Sequence, residues 1–224
     1  LVTRHEFLAE LHKVIKPRRY LEIGVQYGTS LNLAADAEIA IGIDPYPQVG
    51  ARENQTIAIM TSDDYFTYEA PPEDTYDFVF IDGSHRFEDA LRDFINVELH
   101  SHQRTVVVFD DVLPTTTEMA SREMIPGHWT GDVWKVHRIL TLHRPELECL
   151  LVNTEPTGTM VVTGLNRNDR ALPMTYPQIV EQLLDVTEVP DPILKRMWAV
   201  SPNLALSDVS QFLQHSDEVT HDRL

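Results

Sequence analysis

Apolar positions along the chain follow two alternating patterns. Phe7, Leu8, Leu11, Val14 and Ile15 recur at helical spacing and predict an amphipathic helix over residues 3–15, which Pro17 stops. Short, nearly continuous apolar runs then follow at residues 20–23, 40–44, 56–61, 76–82 and 105–111. Runs without polar alternation belong to parallel strands covered on both faces. Helical patterns separate them. One spans residues 30–37, one starts at residues 62–66 with acids in its first turn, and one spans residues 86–100. The last of these turns Phe87, Ala90, Leu91, Phe94, Ile95 and Leu99 inward. Residues 132–143 repeat the pattern with Val133, Val136, Ile139 and Leu140. Residues 147–152 and 159–163 read as two strands around Pro156-Thr157-Gly158, at the antiparallel end of the sheet. Strictly alternating strands and helices predict an α/β fold, a doubly wound and mostly parallel sheet.

Two stretches break the alternation. Residues 113–131 are long and irregular, with Pro114, Pro126, His128 and Trp129, as in lids and binding loops. After Leu172 the periodicity weakens, leaving short helices at residues 177–184, 193–198 and 208–215. Residues 1–170 therefore read as one ligand-binding domain. Residues 171–224 read as a helical extension packed on it or on a partner subunit.

Composition narrows the classes. With 224 residues and 42% hydrophobic content, one α/β domain can bury a full core. No apolar run is long enough to cross a membrane, no signal-peptide pattern is present, and the first residue, Leu1 in place of Met, reads as a trimmed start. Cys149 is the single cysteine, so no intrachain disulfide forms and a cytoplasmic setting is expected. A net charge of −17 argues against nucleic-acid and anionic-membrane partners. The one basic cluster, Lys16-Pro17-Arg18-Arg19, reads as a solvated helix end.

The chemistry centres on Arg19-Tyr-Leu-Glu-Ile-Gly-Val-Gln-Tyr-Gly-Thr-Ser30. Here a strand, a tight glycine turn and a helix start follow one another, a unit in which backbone N–H groups face a ligand. Gly24 and Gly28 are spaced Gly-x-x-x-Gly, not as the Gly-x-Gly-x-x-Gly of a dinucleotide site. Glu22, just before the turn, would repel a pyrophosphate. Asp44 ends the next strand about 20 residues on, where a ribose diol is commonly held. Two acids and no basic residue in the loop point to a nucleoside ligand without phosphates, and S-adenosylmethionine fits.

Leu21–Ser30 resembles motif I of class I S-adenosylmethionine-dependent methyltransferases. Ile43-Asp44, Thr61-Ser62-Asp63, Phe80-Ile-Asp-Gly-Ser-His85 and Val108-Phe-Asp-Asp111 follow in that family's order, so the resemblance spans residues 18–165. It implies a Rossmann-like, seven-stranded, mostly parallel sheet with an antiparallel strand at one end. It is similar in particular to metal-dependent O-methyltransferases of the catechol O-methyltransferase type. It is nearer still to macrocin-type sugar O-methyltransferases and cephalosporin hydroxylase-like proteins, through Phe80–His85 and Asp110-Asp111.

The resemblance implies adjacent positions for the strands ending in Asp82 and Asp110, about 4.8 Å apart. Asp82, Asp110 and Asp111 would then converge and hold Mg²⁺, a hard cation that takes oxygen ligands. Cofactor contacts are expected from Glu22, Gly24, Tyr27, Gly28, Ser30, Asp44, Asp82, and Ser62 and Asp63 near the adenine. His85, three residues past Asp82, aligns with the family's lysine base, with His128 and His137 as rival bases. The implied activity is methyl transfer to a hydroxyl of a sugar or glycosylated metabolite, by a homodimer. The rivals are another small-molecule or catechol acceptor, a nicotinamide-dependent oxidoreductase, and a non-catalytic cofactor-binding protein. The glycine spacing and the acids at the strand ends count against the last two.

Overall fold

The computed structural model describes the backbone of residues 1–221 and side chains through residue 216. Seven strands form one sheet: β1 (Arg19–Ile23), β2 (Ile39–Ile43), β3 (Gln55–Ala58), β4 (Phe78–Ile81), β5 (Val106–Phe109), β6 (Glu148–Val152) and β7 (Thr159–Thr163). Their order is β3-β2-β1-β4-β5-β7-β6. β1 to β5 pair in parallel, while β7 runs against both β5 and β6. The fold is the Rossmann-like sheet expected, with one refinement. The reversed strand is β7, inserted next to the edge, and the edge strand β6 runs in the common direction. The chain winds outward from β1 to β3 and then returns to start again at β4. The carboxyl ends of β1 and β4 therefore flank the switch point where such sheets bind ligands.

Alternate residues of the central strands serve opposite faces, as a period of two requires. Val79, Ile81, Val107 and Phe109 join one apolar cluster, and Phe78, Phe80, Val106 and Val108 join the other. The first cluster is covered by α3 (Phe87–Leu99), α4 (Trp134–His143) and α5 (Ala171–Leu183), the second by α1 (Arg4–Ile15) and α7 (Pro202–His221). Two short segments, α2 (Ser62–Asp64) and α6 (Asp191–Leu194), lie between these. α1 is fixed by Phe7, Leu8 and Leu11, all essentially fully buried. Burial of each contributes about 1.5–3 kcal/mol. A capping box between Thr3 and Glu6 starts this helix, and Lys16 in the left-handed region ends it.

Local competition explains where helices depart from the pattern. The helix expected at residues 30–37 shrinks to a 3-10 turn at Leu31–Ala34. Asn54 Nδ2 donates to the carbonyls of Ala34 and Ala37 at 2.9 and 3.0 Å, and Gln55 Nε2 to that of Leu31 at 3.2 Å. Carbonyls that a longer helix would bond to its own backbone are thus held by side chains. Thr61 caps α2, which runs on as a wider π-type turn over Tyr65–Glu69. In α3 Val97 is buried, and Leu99, expected inward, is 37% exposed. α5 begins six residues before the expected start and carries Pro177 inside it. α7 sends Ala205, Val209 and Leu213 into the cluster shared with α1.

The backbone approaches closely at Gly24, where the chain leaving β1 crosses the end of β4. Gly24 has φ +92, and a Cβ there would lie 1.8 Å from the Asp82 carbonyl oxygen. Gly24→Ala combines left-handed strain with a main-chain clash, and should cost roughly 2–4 kcal/mol. Gly50→Ala, where a Cβ meets nothing within 4 Å, is the control and should be near neutral. Urea unfolding of both variants measures the difference; equal stabilities would mean that the turn relaxes freely.

Candidate active site

The glycine turn is laced to the loop after β2. Gly24 N donates to Ile43 O at 2.9 Å. Asp44 Oδ2 accepts from Val25 N at 3.0 Å and Gln26 N at 2.8 Å, and its Oδ1 accepts from Tyr46 N at 2.7 Å. Asp44 therefore holds the loop and still faces the cavity with the one acceptor site left on Oδ1. Glu22 behaves differently from the expectation. It is fully buried, accepting from the Tyr20 hydroxyl at 2.7 Å and from Ser30 Oγ at 2.9 Å, and it lines no cavity. Burial pushes its carboxyl up to about 8 against the pull of those two bonds. Its place is beneath the loop, orienting Ser30, because the period-two alternation of β1 turns it away from the ligand side.

At the ends of β4 and β5 three carboxylates and two cations interleave. Arg4, at the start of α1, pairs with Asp110 Oδ2 and reaches Asp82 Oδ2 at 3.5 Å. His85 Nε2 lies 3.3 Å from Asp82 Oδ1 and 3.1 Å from Asp111 Oδ2. His85 and Asp111 both sit at positive φ, +59 and +61, a conformation that non-glycine residues hold only under constraint. Asp110 Oδ1 is buried without a hydrogen-bond partner among the described residues, and Asp111 Oδ2, also buried, has the His85 Nε2 contact. Burial raises the Asp110 carboxyl far above its ordinary range, reinforced by Asp111 and Asp82. Burial and Asp82 raise Asp111 to about 6, with His85 opposing. Asp82 goes the other way: burial would raise it, but the His85 bond and Arg4 outweigh that.

One set of possible ligand atoms, from Asp82, His85 and Asp111, lies within 4.8 Å of one another. Asp110, read with Asp82 and Asp111 as a ligand, lies outside this set, its carboxylate paired with Arg4. Arg4 is the residue that the sequence reading missed. A signal existed: a cation in the first turn opposes the helix dipole, and so needs an acid from elsewhere.

The long loop closes over this cluster. The Trp129 carbonyl accepts from His85 Nδ1 at 3.0 Å, and the two rings stack with centroids 4.9 Å apart. A carbonyl only accepts, so Nδ1 carries a proton and Nε2 is the titrating nitrogen facing the acids. Burial would lower the His85 pKa, but Asp82 and Asp111 outweigh it and lift it to about 9. In this state His85 is an imidazolium, and cannot accept a proton at neutral pH. The far end of the loop is clamped as well: Asp132 N donates to His85 O, and a Cβ on Gly131 would lie 1.7 Å from that oxygen.

Three cavities follow one another along the strand ends. The first, about 570 Å³, lies over Gly24, Tyr27, Ser30, Asp44 and Asp82. A second, about 320 Å³, shares Gly24, Asp44 and Gly83 with it and adds Ser62 and Asp63. A third, about 420 Å³, shares Arg4, His5 and His85 with the first and adds Asp111, His128, Trp129 and Thr157. Gly28 sits behind the first, packed on Val49. Asp63 is held by Arg92 Nε at 2.7 and 2.9 Å, so it reaches the second cavity as half of an ion pair. His137 is not brought to the cluster: it lines none of these cavities and lies against Trp198 on α4.

Residues 21–112 match a family described as a methyltransferase domain. No curated protein matches the chain significantly. Among solved structures, cofactor-bound Rv0187 from MTB is similar at 19% identity and TM-score 0.57, over 75% of this chain and 83% of that one. TomG from Streptomyces achromogenes, an O-methyltransferase involved in tomaymycin synthesis and solved with SAM, is similar at 20% identity and TM-score 0.51, over 70% and 78%. An O-methyltransferase from Bacillus cereus solved with SAH is similar at 17% identity and TM-score 0.50, over 70% and 79%. At these identities the likeness is one of fold. The matched segment runs from β1 to just past β5 and agrees with the resemblance of the loops to class I methyltransferases.

The site's protonation predicts a stability profile. A raised histidine pKa stabilises fully below the ordinary value of 6.5, and the gain is lost as pH climbs through about 9. Glu22 acts in the same direction, its contribution lost between 4.5 and about 8. Chelator-treated protein should therefore lose thermal stability steadily from pH 6 to 9. His85→Gln should flatten the upper part of that decline. A wild-type melting temperature constant across this window would contradict the charge arrangement.

Proposed function

We propose that the protein transfers a methyl group from S-adenosylmethionine to a hydroxyl of a sugar or glycosylated small molecule, with Mg²⁺ as the metal. The observation that carries this reading is the row of three cavities with the acid cluster at the junction of the first and third. In this reading the adenine lies in the cavity of Ser62 and Asp63, the ribose near Asp44, and the methionine end over Gly24, Tyr27 and Ser30. The acceptor lies in the cavity of His128 and Trp129, whose aromatic face and polar rim suit a saccharide. The similar proteins with SAM or SAH bound support the cofactor, and O-methyltransferases among them support the acceptor atom. The charge of −17 favours a small-molecule partner over nucleic acid. No helix among the described residues is long and apolar enough to cross a membrane, which accords with a cytoplasmic enzyme. Exposed Met174 on α5, and Met197 and Trp198 in the turn after α6, support a homodimer.

The residues fit a hard divalent cation. The unpartnered, buried Asp110 Oδ1 and the convergent carboxylate oxygens of Asp82 and Asp111 form an oxygen-rich donor set. Asp82 and Asp111 would hold it, with Asp110 behind them and His85 Nε2 facing them. When bound, such an ion orients an acceptor hydroxyl and lowers its pKa. The chain's own groups do the rest. Asp44 and the backbone it bonds fix the cofactor side. Trp129 stacks on His85 and covers one face of its ring. The Trp129 carbonyl keeps Nδ1 protonated, leaving Nε2 as the atom through which a proton enters or leaves. Once Asp82 and Asp111 are neutralised, nothing holds the extra proton on Nε2, and His85 regains the capacity to act as a base.

Calorimetry tests both halves. S-adenosylhomocysteine should bind, and Asp44→Ala should weaken that binding at least ten-fold by loosening the loop and removing a ribose acceptor. Mg²⁺ or Mn²⁺ binding at pH 7.5 should release about one proton, read from heats in buffers of different ionisation enthalpy. Asp82→Ala and Asp111→Ala should abolish that signal and the methylation of glycosides while sparing S-adenosylhomocysteine binding. Full turnover in EDTA would remove the metal from the reading.

A further inference from the structure

Among the described residues, Arg4 is the one cation of the acid cluster carried by an element outside the strand ends and the lid. Its backbone cannot move far. Arg4 N donates to Glu155 O at 3.0 Å, Glu155 N donates to Val2 O at 2.9 Å, and Thr3 caps the helix against Glu6. Phe7, Leu8 and Leu11 anchor the following turns in the core. The side chain is another matter. It is 29% exposed, and it runs between the first and third cavities, lining both. A long, flexible side chain on a fixed backbone, with open space on either hand, can leave its partners without disturbing the helix.

What Arg4 touches gives that freedom a consequence. The cluster is a row in which Asp82 is shared, its Oδ1 facing His85 and its Oδ2 facing Arg4. Asp110 is buried and keeps one oxygen on Arg4 and one without a partner. A divalent ion that takes Asp82 and Asp111 must accept the guanidinium as a close like-charged neighbour, or displace it. We propose that Arg4 is an exchangeable internal counter-cation. It neutralises Asp110 and Asp82 when no metal is bound, and it swings into the flanking cavities when a divalent cation enters, so it sets the cation affinity of the site. This rests on the metal reading above and adds a competitor for the same acids. In the absence of metal, Arg4 keeps buried carboxylates paired that would otherwise destabilise the fold. The same pairing weakens metal binding by the free energy of breaking it.

Titration of Mn²⁺ into the metal-stripped full chain, with free ion counted by electron paramagnetic resonance, tests this without reference to turnover. Arg4→Gln should bind Mn²⁺ at least ten-fold more tightly than wild type. Its metal-free form should melt lower, and Mn²⁺ should raise its melting temperature by more than it raises that of wild type. Arg4→Met, of similar length and also uncharged, should behave the same way and replaces Gln if that variant folds poorly. Arg4→Lys, which keeps the charge, should stay close to wild type. Equal or weaker Mn²⁺ binding in the uncharged variants, with wild type binding normally, would overturn the exchange and leave the metal site standing. Absence of Mn²⁺ binding in every form would overturn the metal reading and the exchange together.

Discussion

Negative charge crowded at the ends of two adjacent strands is the constraint on which the rest of this site depends. β4 and β5 pair in register, so Asp82 and Asp110-Asp111 leave the sheet side by side. At about 4 Å and an effective dielectric of roughly 20, two like charges repel by about 4 kcal/mol. That is a large part of a domain's net stability, about 5–15 kcal/mol. Positive charge must therefore enter, and the chain supplies it from two directions. Arg4 comes from the first turn of α1, and His85 comes from the loop that follows Asp82. Both are placed by backbone features with no electrostatic purpose of their own: the capping box and buried face of α1, and the positive-φ turn at His85 clamped by Gly131.

The same turn links charge to access. His85 holds the lid through its Nδ1 bond to the Trp129 carbonyl and through ring stacking, while Nε2 faces the acids. One imidazole thus senses the cluster on one edge and the lid on the other. The glycine turn adds a second mechanical tie. Gly24 rests on the Asp82 carbonyl, so the cofactor loop and the first acid of the cluster are packed against each other through main chain. A shift in either is felt by both, which is how a cofactor in the first cavity and an acceptor in the third would be kept in register.

Much of this was legible in the residues. Buried parallel strands announce themselves as short apolar runs, and β1, β2, β4 and β5 each end next to a residue with a functional reading. Gly24, Asp44, Asp82, Asp111, Ser62 and His85 fall at the cavities because strand ends converge wherever a sheet is doubly wound. Two kinds of information were not legible. Direction along a strand was one: Glu22 is adjacent to the glycine turn in sequence, yet points beneath it to Tyr20 and Ser30. Long-range pairing was the other. Arg4 lies 106 positions from Asp110, and nothing local distinguishes it from a solvated helix residue except its place against the dipole. The 3-10 turn at Leu31–Ala34 belongs to the same kind, since Asn54 and Gln55 decide it from the far side of β2.

The central claim is that a divalent cation and a nucleoside cofactor meet at the carboxylate cluster. Crystals grown with Mn²⁺ and S-adenosylhomocysteine, with data collected at the manganese absorption edge, address it most directly. The account predicts one anomalous peak within bonding distance of Asp82 and Asp111, with the Arg4 guanidinium turned away from Asp82. It also predicts nucleoside density running from Ser62 across Gly24 towards Ser30. An anomalous map empty at the cluster, with Arg4 still between Asp82 and Asp110 and the nucleoside bound, would contradict it.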